Sequence, residues 1–222
     1  MKKTAVIFDM DGLMFDTQCL YDRSYDDVAL RDYNFIVPRE MHLAMMGSSG
    51  EDIIRTAARY LPAGADARAF IRECFDRVAE LVKTELRARP GLDIILPYLA
   101  GKGCCLGLAS GSERKVVDSN LSVTGLGHYF AATLCGDEVV HSKPDPEVYL
   151  RVASMIGREP GECYVLEDAP GGILAAYRAG CIPIMVPNDV RPDEAVRNMC
   201  AGVFDSLADV VTAMESGVLD LM

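Results

Sequence analysis

The chain has 222 residues, of which 50% are hydrophobic and 25% charged, and its formal net charge is −11. This length allows one large or two small domains, each with a hydrophobic core. The acidic balance argues against nucleic acid or an anionic membrane surface as a partner, because the chain offers no basic field to attract phosphate groups. A small phosphorylated metabolite remains compatible with this charge, provided that a local cation offsets it.

The sequence predicts neither a signal peptide nor a membrane span, because the apolar run after Lys3 is short and ends at Asp9. The eight cysteines form no Cys-x-x-Cys pair, and most of them lie in apolar runs. Unpatterned thiols in a chain of this size are typical of a reducing compartment, so we expect a cytoplasmic protein. The three histidines are scattered, which argues against a histidine-based metal site. The oligomeric state is not indicated, and a monomer is compatible with the sequence.

The first predicted element is a short buried strand at residues 5–8, which ends at Asp9. Asp11 and Gly12 follow after one residue. If the chain stays extended, the side chains of Asp9 and Asp11 point to the same side, about 7 Å apart, and their like charges favour a bound cation or a shared proton. The same residues also suit an ordinary turn. A calcium loop of the EF-hand type is disfavoured, because no glutamate follows at the required distance.

Residues 17–88 are predicted to contain helices and no strand, because their apolar residues recur at three- and four-residue spacing. Asp16 or Thr17 is available to cap the first helix, and Pro38 is interpreted as a break in the pattern. Three helices are expected in this segment, at residues 17–31, 49–61 and 66–88.

From about residue 92 onwards, predicted strands alternate with predicted helices. One of these helices is expected to begin at Pro146, with Asp145 as its N-cap. Alternation at this spacing predicts parallel βαβ units, and therefore an α/β fold with a doubly wound, mainly parallel sheet. Residues 17–88 then become an all-helical domain inserted into a core domain formed by residues 1–16 and 89–222. The later strands are expected at residues 104–109, 131–135, 163–166, 182–186 and 202–204.

Chemically useful residues follow three of the predicted strands: Asp9, Ser110, and the pair Glu167 and Asp168. Lys143 precedes a predicted helix. Because parallel strands place their carboxyl ends at one edge of the sheet, we expect these side chains to converge. Each has an ordinary structural explanation, such as a turn serine, a helix cap or a solvated lysine. Those explanations do not account for the presence of all of them at one edge.

This set of side chains suits phosphoryl transfer, in which a dianionic phosphate must be neutralised and aligned. Mg²⁺ prefers oxygen ligands and could be held by Asp9, Asp168 and a backbone carbonyl at Asp11. Lys143, Ser110 and nearby backbone N–H groups would bind the remaining phosphoryl oxygens. A carboxylate nucleophile would form an aspartyl-phosphate and divide the reaction into two easier steps.

Four segments of the chain resemble, in order and spacing, the motifs of the haloacid dehalogenase superfamily of hydrolases. The resemblance covers nearly the whole chain and implies a Rossmann-like core. The position of the helical insert is similar to that of the cap domain in β-phosphoglucomutase-like proteins and small-metabolite phosphatases. The four segments are Asp9-Met10-Asp11-Gly12-Leu13, Ala109-Ser110-Gly111-Ser112, Ser142-Lys143-Pro144-Asp145-Pro146 and Leu166-Glu167-Asp168-Ala169-Pro170-Gly171-Gly172-Ile173.

The resemblance implies that Asp9 is the nucleophile and that Asp11 is the general acid and base. Asp11 would protonate the leaving oxygen and then activate the water that cleaves the aspartyl-phosphate. The implied metal is Mg²⁺, and the residues expected around it are Asp9, Asp11, Asp168 and Glu167. Glu167 would act either as a direct ligand or through its neighbours.

The resemblance also implies a phosphate-binding set formed by Ser110, Gly111 and Lys143, with Lys143 offsetting the crowded negative charge. Asp16 would hydrogen-bond the substrate, although a helix-capping or hinge role suits it equally well.

The resulting hypothesis is a Mg²⁺-dependent phosphatase that acts on a small phosphate monoester, either a sugar phosphate or a nucleotide. A phosphosugar mutase is the main alternative. Mutases that resemble this chain carry a histidine after the first motif and an arginine on a later cap loop, where this chain has Tyr21 and Gly50. A phospho-acceptor receiver domain shares the acidic residues and the lysine but has no room for the helical insert. Dehalogenases of the superfamily lack the second aspartate, which is Asp11 here.

Overall fold

The computed structural model describes residues 4–46, 50–188 and 190–221. Its centre is a six-stranded sheet in the order β3-β2-β1-β4-β5-β6, in which every pair of neighbouring strands is parallel. The predicted α/β fold with a doubly wound parallel sheet is therefore confirmed. The strands are β1 (Ala5–Phe8), β2 (Cys105–Ala109), β3 (Ala132–Leu134), β4 (Cys163–Glu167), β5 (Ile182–Met185) and β6 (Gly202–Val203).

Helices cover both faces of the sheet, and the central strand β1 shows how its residues divide between them. Val6 and Phe8 belong to one apolar cluster, which α5, α6 and α10 complete, while Ala5 and Ile7 belong to a second cluster built with α7 and α8. All four residues are fully buried, as expected for a strand of a parallel sheet covered on both sides. The helices after β2 are α6 (Arg114–Thr124), α7 (Glu147–Met155), α8 (Pro170–Arg178), α9 (Glu194–Arg197) and α10 (Leu207–Glu215), and α5 (Leu92–Gly101) precedes β2.

Four further helices lie between β1 and α5, and no strand is assigned among the described residues of this segment. They share an apolar cluster of their own, which includes Tyr25, Met41, Ile53 and Phe70. The four are α1 (Gln18–Tyr33), α2 (Arg39–Met45), α3 (Gly50–Tyr60) and α4 (Ala67–Glu85).

The segment leaves and rejoins the sheet-bearing part at two adjacent chain crossings. The Asp16 N–H donates to the Arg87 carbonyl at 3.0 Å, and the Arg89 N–H donates to the Met14 carbonyl at 2.8 Å. We propose that a helical cap (residues 17–88) is inserted at this point into a core formed by residues 1–16 and 89–222. The separate apolar cluster and the paired crossings support that division.

Three local predictions were wrong in detail. Pro38 does not merely interrupt a helix: it is the N-cap of α2, which the sequence analysis missed. Proline has no N–H to lose and is tolerated at a helix start, while Met41 and Met45 anchor the new helix in the apolar cluster of the helical segment. The helix α4 ends at Glu85, because Ala88 pairs with Phe15 at the chain crossing.

The third error concerns the start of α7, which begins at Glu147 with Pro146 as its N-cap. The Asp145 carboxylate still accepts a hydrogen bond from the Glu147 N–H at 3.0 Å, so it satisfies a backbone donor from one position further out. The predicted helix start at Ser49 lies outside the described residues. Within the described ranges, no helix is long and apolar enough to cross a membrane.

Candidate active site

The side chain of Lys143 connects two of the motif carboxylates at the carboxyl edge of the sheet. Its Nζ donates to Asp9 Oδ1 at 2.6 Å and to Glu167 Oε1 at 2.7 Å, and it also contacts the Ala109 carbonyl oxygen at 3.2 Å. Asp9 follows β1 directly, and its N–H donates to the Leu166 carbonyl of β4 at 3.0 Å. The ends of β1, β2 and β4 therefore meet around the ammonium group of this half-buried lysine, as the sequence analysis expected.

Glu167 has a full set of hydrogen-bond donors around its two carboxylate oxygens. Oε1 accepts from Lys143 and from the Tyr149 hydroxyl, each at 2.7 Å, while Oε2 accepts from the N–H groups of Asp168 at 3.0 Å and Ala169 at 3.2 Å. A Cβ at Gly172 would lie 1.7 Å from Oε1, so only glycine leaves room for this carboxylate. Glu167 is thus held in one position and orients the groups beside it.

Asp168 completes a cluster of three carboxylates with Asp9 and Glu167. One oxygen from each of the three lies within 4.8 Å of the others, and this is the only such group of three metal-ligating side chains in the part of the chain that the structure describes. The Asp168 carboxylate lies against the backbone of Gly12, where a Cβ would be 2.1 Å from Oδ2. Gly12 also has a φ of +86°, which favours glycine.

The burial of this cluster alters its protonation. Burial raises the pKa of Asp9 to about 8, an effect that Lys143 opposes and that the charges of Glu167 and Asp11 reinforce. Burial, together with the charges of Glu167 and Asp9, raises the pKa of Asp168 to about 9. Burial alone would lower the pKa of Lys143, but the two carboxylates that it contacts hold it well above its usual value. The site therefore combines the Lys143 cation with two carboxyl groups, those of Asp9 and Asp168, that favour the protonated form unless a second cation is bound beside them.

Asp11 has a different set of partners, all of them hydroxyl groups. Its Oδ1 accepts from Thr17 Oγ1 at 2.8 Å, and its Oδ2 accepts from Ser112 Oγ at 2.8 Å and from Ser110 Oγ at 3.2 Å. Its side chain is not part of the three-carboxylate cluster. The chain turns just after Asp11, with the Gly12 N–H donating to the Phe15 carbonyl at 2.8 Å, and the charge of Asp11 still acts on Asp9.

The remaining predicted residues occupy unequal positions. Ser110 is buried, and its hydroxyl joins Asp11 while accepting from the Ser112 N–H at 3.0 Å. Gly111 follows it at an exposed position. Asp16 is half-buried and hydrogen-bonds through its backbone to Arg87. Among the described residues, no hydrogen bond joins the Asp16 side chain to the other predicted site residues, so the structure does not bring it into this network.

Three contributors to the site were not identified as site residues from the sequence: Thr17, Ser112 and Tyr149. Thr17 was considered as a helix cap, but its hydroxyl binds Asp11 and makes no capping bond. Tyr149 is fully buried on α7, in the apolar cluster on that face of the sheet. A buried tyrosine hydroxyl needs a partner, and that requirement was the available signal for its bond to Glu167.

The doubly wound fold and the four converging motifs define a class of hydrolase. A model of the haloacid dehalogenase-like hydrolase family matches residues 6–186. The chain belongs to this family, as its motifs predicted.

Two relatives of this chain are phosphatases of phosphorylated carbohydrates. The fructose-1-phosphate phosphatase YqaB of Escherichia coli (strain K12) is 31% identical over 176 residues, which cover 79% of this chain and 92% of the relative. A phosphorylated carbohydrates phosphatase of Thermotoga maritima is 28% identical over 218 residues, which cover 98% of this chain and 93% of the relative.

Among solved structures, a Thermotoga maritima protein provisionally assigned as a beta-phosphoglucomutase superposes with a TM-score of 0.80. It is 26% identical to this chain, and the match covers 97% of this chain and 99% of the other.

Proposed function

We propose that this protein is a Mg²⁺-dependent phosphatase that hydrolyses a phosphorylated carbohydrate through an aspartyl-phosphate formed on Asp9. The observation that carries the proposal is the contact between Lys143 and Asp9 at 2.6 Å beside the three-carboxylate cluster. This arrangement provides a nucleophilic carboxylate, a fixed cation and oxygen ligands for a second cation at one edge of the sheet.

The donor set fits Mg²⁺, a hard cation that takes carboxylate and carbonyl oxygens and keeps some of its water. Asp9 and Asp168 would hold it with the Asp11 carbonyl. Glu167, whose oxygens already accept four hydrogen bonds, would orient Asp168 through the backbone rather than serve as a ligand. The bound cation would supply charge stabilisation for the phosphoryl oxygens.

In the first step, a carboxylate oxygen of Asp9 attacks phosphorus. The ester P–O bond breaks, and its electron pair leaves with the sugar oxygen, which takes a proton from Asp11. Lys143 orients Asp9 and, as a permanent cation, offsets the negative charge that gathers as the phosphoryl group enters. The hydroxyl of Ser110 and the backbone at Gly111 lie just after the carboxyl end of β2, where they would contact the phosphoryl oxygens.

In the second step, a water molecule replaces the sugar at phosphorus. Asp11 takes a proton from that water, the bond between phosphorus and the Asp9 oxygen breaks, and inorganic phosphate is released. Asp9 is thereby regenerated as a carboxylate and Asp11 as an acid. The same side chain serves both steps, as the acid in the first and as the base in the second.

A carbohydrate phosphate is the preferred substrate class because two relatives, which align with 79% and 98% of this chain, are a fructose-1-phosphate phosphatase and a phosphorylated carbohydrates phosphatase. A phosphosugar mutase is the second candidate, favoured by the structural match to a protein assigned as a beta-phosphoglucomutase. Tyr21 and Gly50 stand where mutases that resemble this chain carry histidine and arginine, and this difference favours hydrolysis. Residues 47–49, which precede Gly50, lie outside the described ranges.

The proposal is tested with a panel of monoesters that includes fructose 1-phosphate, hexitol phosphates, a nucleotide, and β-glucose 1-phosphate with catalytic bisphosphate. Each is assayed with Mg²⁺, with a chelator, and with the Asp9→Asn variant as the control. Release of phosphate that needs Mg²⁺ and Asp9 is the expected result. Isomerisation without release would identify a mutase, and stable phosphorylation without turnover would identify a receiver-like protein.

A further inference from the structure

Tyr21 links the helical segment to the acid–base group through Ser112. Its hydroxyl lies 3.2 Å from Ser112 Oγ, which in turn donates to Asp11 Oδ2 at 2.8 Å. The Tyr21 ring is fixed on the other side by edge contact with Phe75, with ring centroids 6.2 Å apart. Tyr21 therefore spans from the apolar cluster of helices α1–α4 to the loop after β2.

The direction of these hydrogen bonds follows from the number of protons available. Ser112 has one hydroxyl proton, and Asp11, whose own acid proton goes to the leaving oxygen, accepts from Ser112, so the serine proton points to Asp11. Tyr21 must then be the donor to Ser112 Oγ. The tyrosine keeps its proton throughout, since burial raises its pKa well above the usual value, with the charge of Asp11 as the next cause.

Loss of the Tyr21 hydroxyl would change the hydrogen bonding of Ser112. Without the Tyr21 hydroxyl, Ser112 Oγ would lose the partner that fixes its rotation, and its proton could point elsewhere. Asp11 would then keep two of its three hydroxyl donors, Thr17 and Ser110. The longest of its three hydrogen bonds is the 3.2 Å contact with Ser110, so loss of Ser112 would leave Oδ2 with only that weaker donor.

We propose that Tyr21 is a positioning residue for the reaction: by donating to Ser112 it fixes the orientation of Asp11 toward the leaving oxygen when the helical segment is packed on the core. Helix α4 packs on α6, and Lys115 of α6 lies 3.7 Å from Asp76 of α4, so the same two parts of the chain are also in contact beside this link. The inference rests on the proposed function, because it requires Asp11 to be the acid.

The test compares Tyr21→Phe, which removes the hydroxyl and keeps the ring, with Tyr33→Phe. Tyr33 is a matched control, because it lies on the same helix and its hydroxyl contacts the Asp66 carbonyl at 3.5 Å, away from the site. Two substrates are used: the best sugar phosphate of the panel, and p-nitrophenyl phosphate, whose leaving group departs without a proton.

For the sugar phosphate, Tyr21→Phe is expected to lower kcat/KM about tenfold, the effect of losing one hydrogen bond to an ionic network, with KM nearly unchanged. For p-nitrophenyl phosphate, kcat/KM should stay within about twofold of the wild type, because this parameter reports the steps up to departure of the leaving group. Tyr33→Phe should change neither. Equal losses with both substrates would reduce Tyr21 to a packing residue and overturn the proposal.

A double-mutant cycle with Ser112→Ala tests the route. If Tyr21 acts through Ser112, adding Tyr21→Phe to Ser112→Ala should have no further effect on the sugar phosphate, whereas multiplicative losses would contradict the route. The two levels of inference fail differently. An inactive wild type, or an active Asp11→Asn variant, would reject the proposed function. An active wild type, an inactive Asp11→Asn variant and an unaffected Tyr21→Phe variant would reject only the role of Tyr21.

Discussion

The carboxylate of Asp168 occupies the space that a side chain at position 12 would need. A Cβ built on Gly12 lies 2.1 Å from Asp168 Oδ2, and the Gly12 backbone has a φ of +86°. The turn after β1 and the turn after β4 are thereby brought into direct contact. Glycine in the first motif is what allows Asp168 to approach Asp9.

The first prediction is that Gly12→Ala abolishes phosphatase activity, because the methyl group displaces Asp168 and strains the backbone. We expect a loss of about 1–3 kcal/mol in the free energy of unfolding and weaker Mg²⁺ binding, measured by urea unfolding and by titration calorimetry. Gly64→Ala is a matched control, since Gly64 has a φ of +88° with nothing within 4 Å of its added Cβ. It should lose stability alone, and equal activity loss in both variants would contradict the steric explanation.

The second prediction concerns the two aspartates of the first motif. In the proposed mechanism Asp9→Asn removes the nucleophile and Asp11→Asn removes the proton donor, so each should eliminate turnover of the sugar phosphate while the fold persists. Phosphate release and far-ultraviolet circular dichroism measure the two properties separately. Normal hydrolysis by the Asp9→Asn protein would end the aspartyl-phosphate mechanism.

The third prediction is that Lys143→Met destabilises the protein by about 3 kcal/mol or more, because it leaves buried carboxylates without their cation. The side chains of Asp9 and Glu167 that Lys143 contacts are only 8% and 2% exposed. Denaturant unfolding with chelator present measures the loss. Adding Glu167→Gln to Lys143→Met should recover part of it, and a double variant less stable than the single one would contradict this charge balance.

The fourth prediction is a pH dependence of the metal-free protein. The pKa of Asp168 is raised from 3.8 to about 9 and that of Asp9 to about 8, so between these limits the folded state binds more protons than the unfolded state. Stability should therefore fall as the pH rises from about 5 to about 9. The Lys143 ammonium stays charged in both states over this range and adds no slope.

Thermal unfolding in chelator, followed across that pH range, measures the effect. Asp168→Asn should flatten the slope, since it removes one of the two titrating carboxyls, and excess Mg²⁺ should flatten it in the wild type by replacing the protons. A wild-type stability that rises with pH in chelator would show that the cluster is ionised without a metal.

The candidate site was predictable to the extent that it depends on strand ends. Asp9, Ser110 and Glu167 stand at or just after the ends of neighbouring parallel strands, and Lys143 was expected to join them. The structure brings Lys143 to Asp9 across 134 positions of sequence. The motif spacing did not reveal that Glu167 and Asp168 have different surroundings. Both carboxylate oxygens of Glu167 already accept hydrogen bonds, whereas Asp168 completes the three-carboxylate cluster.

By itself, the sequence determined the alternation of strands and helices, the parallel sheet and the family, because apolar periodicity and motif spacing are properties of short segments. It missed α2, where the burial of Met41 and Met45 outweighs the appearance of Pro38 as a break. Only the tertiary structure decided that three hydroxyl groups bind the Asp11 carboxylate, and that Tyr21 reaches Ser112. The hydrogen-bond partner of a side chain depends on which distant segments the fold brings next to it, and local sequence patterns do not contain that information.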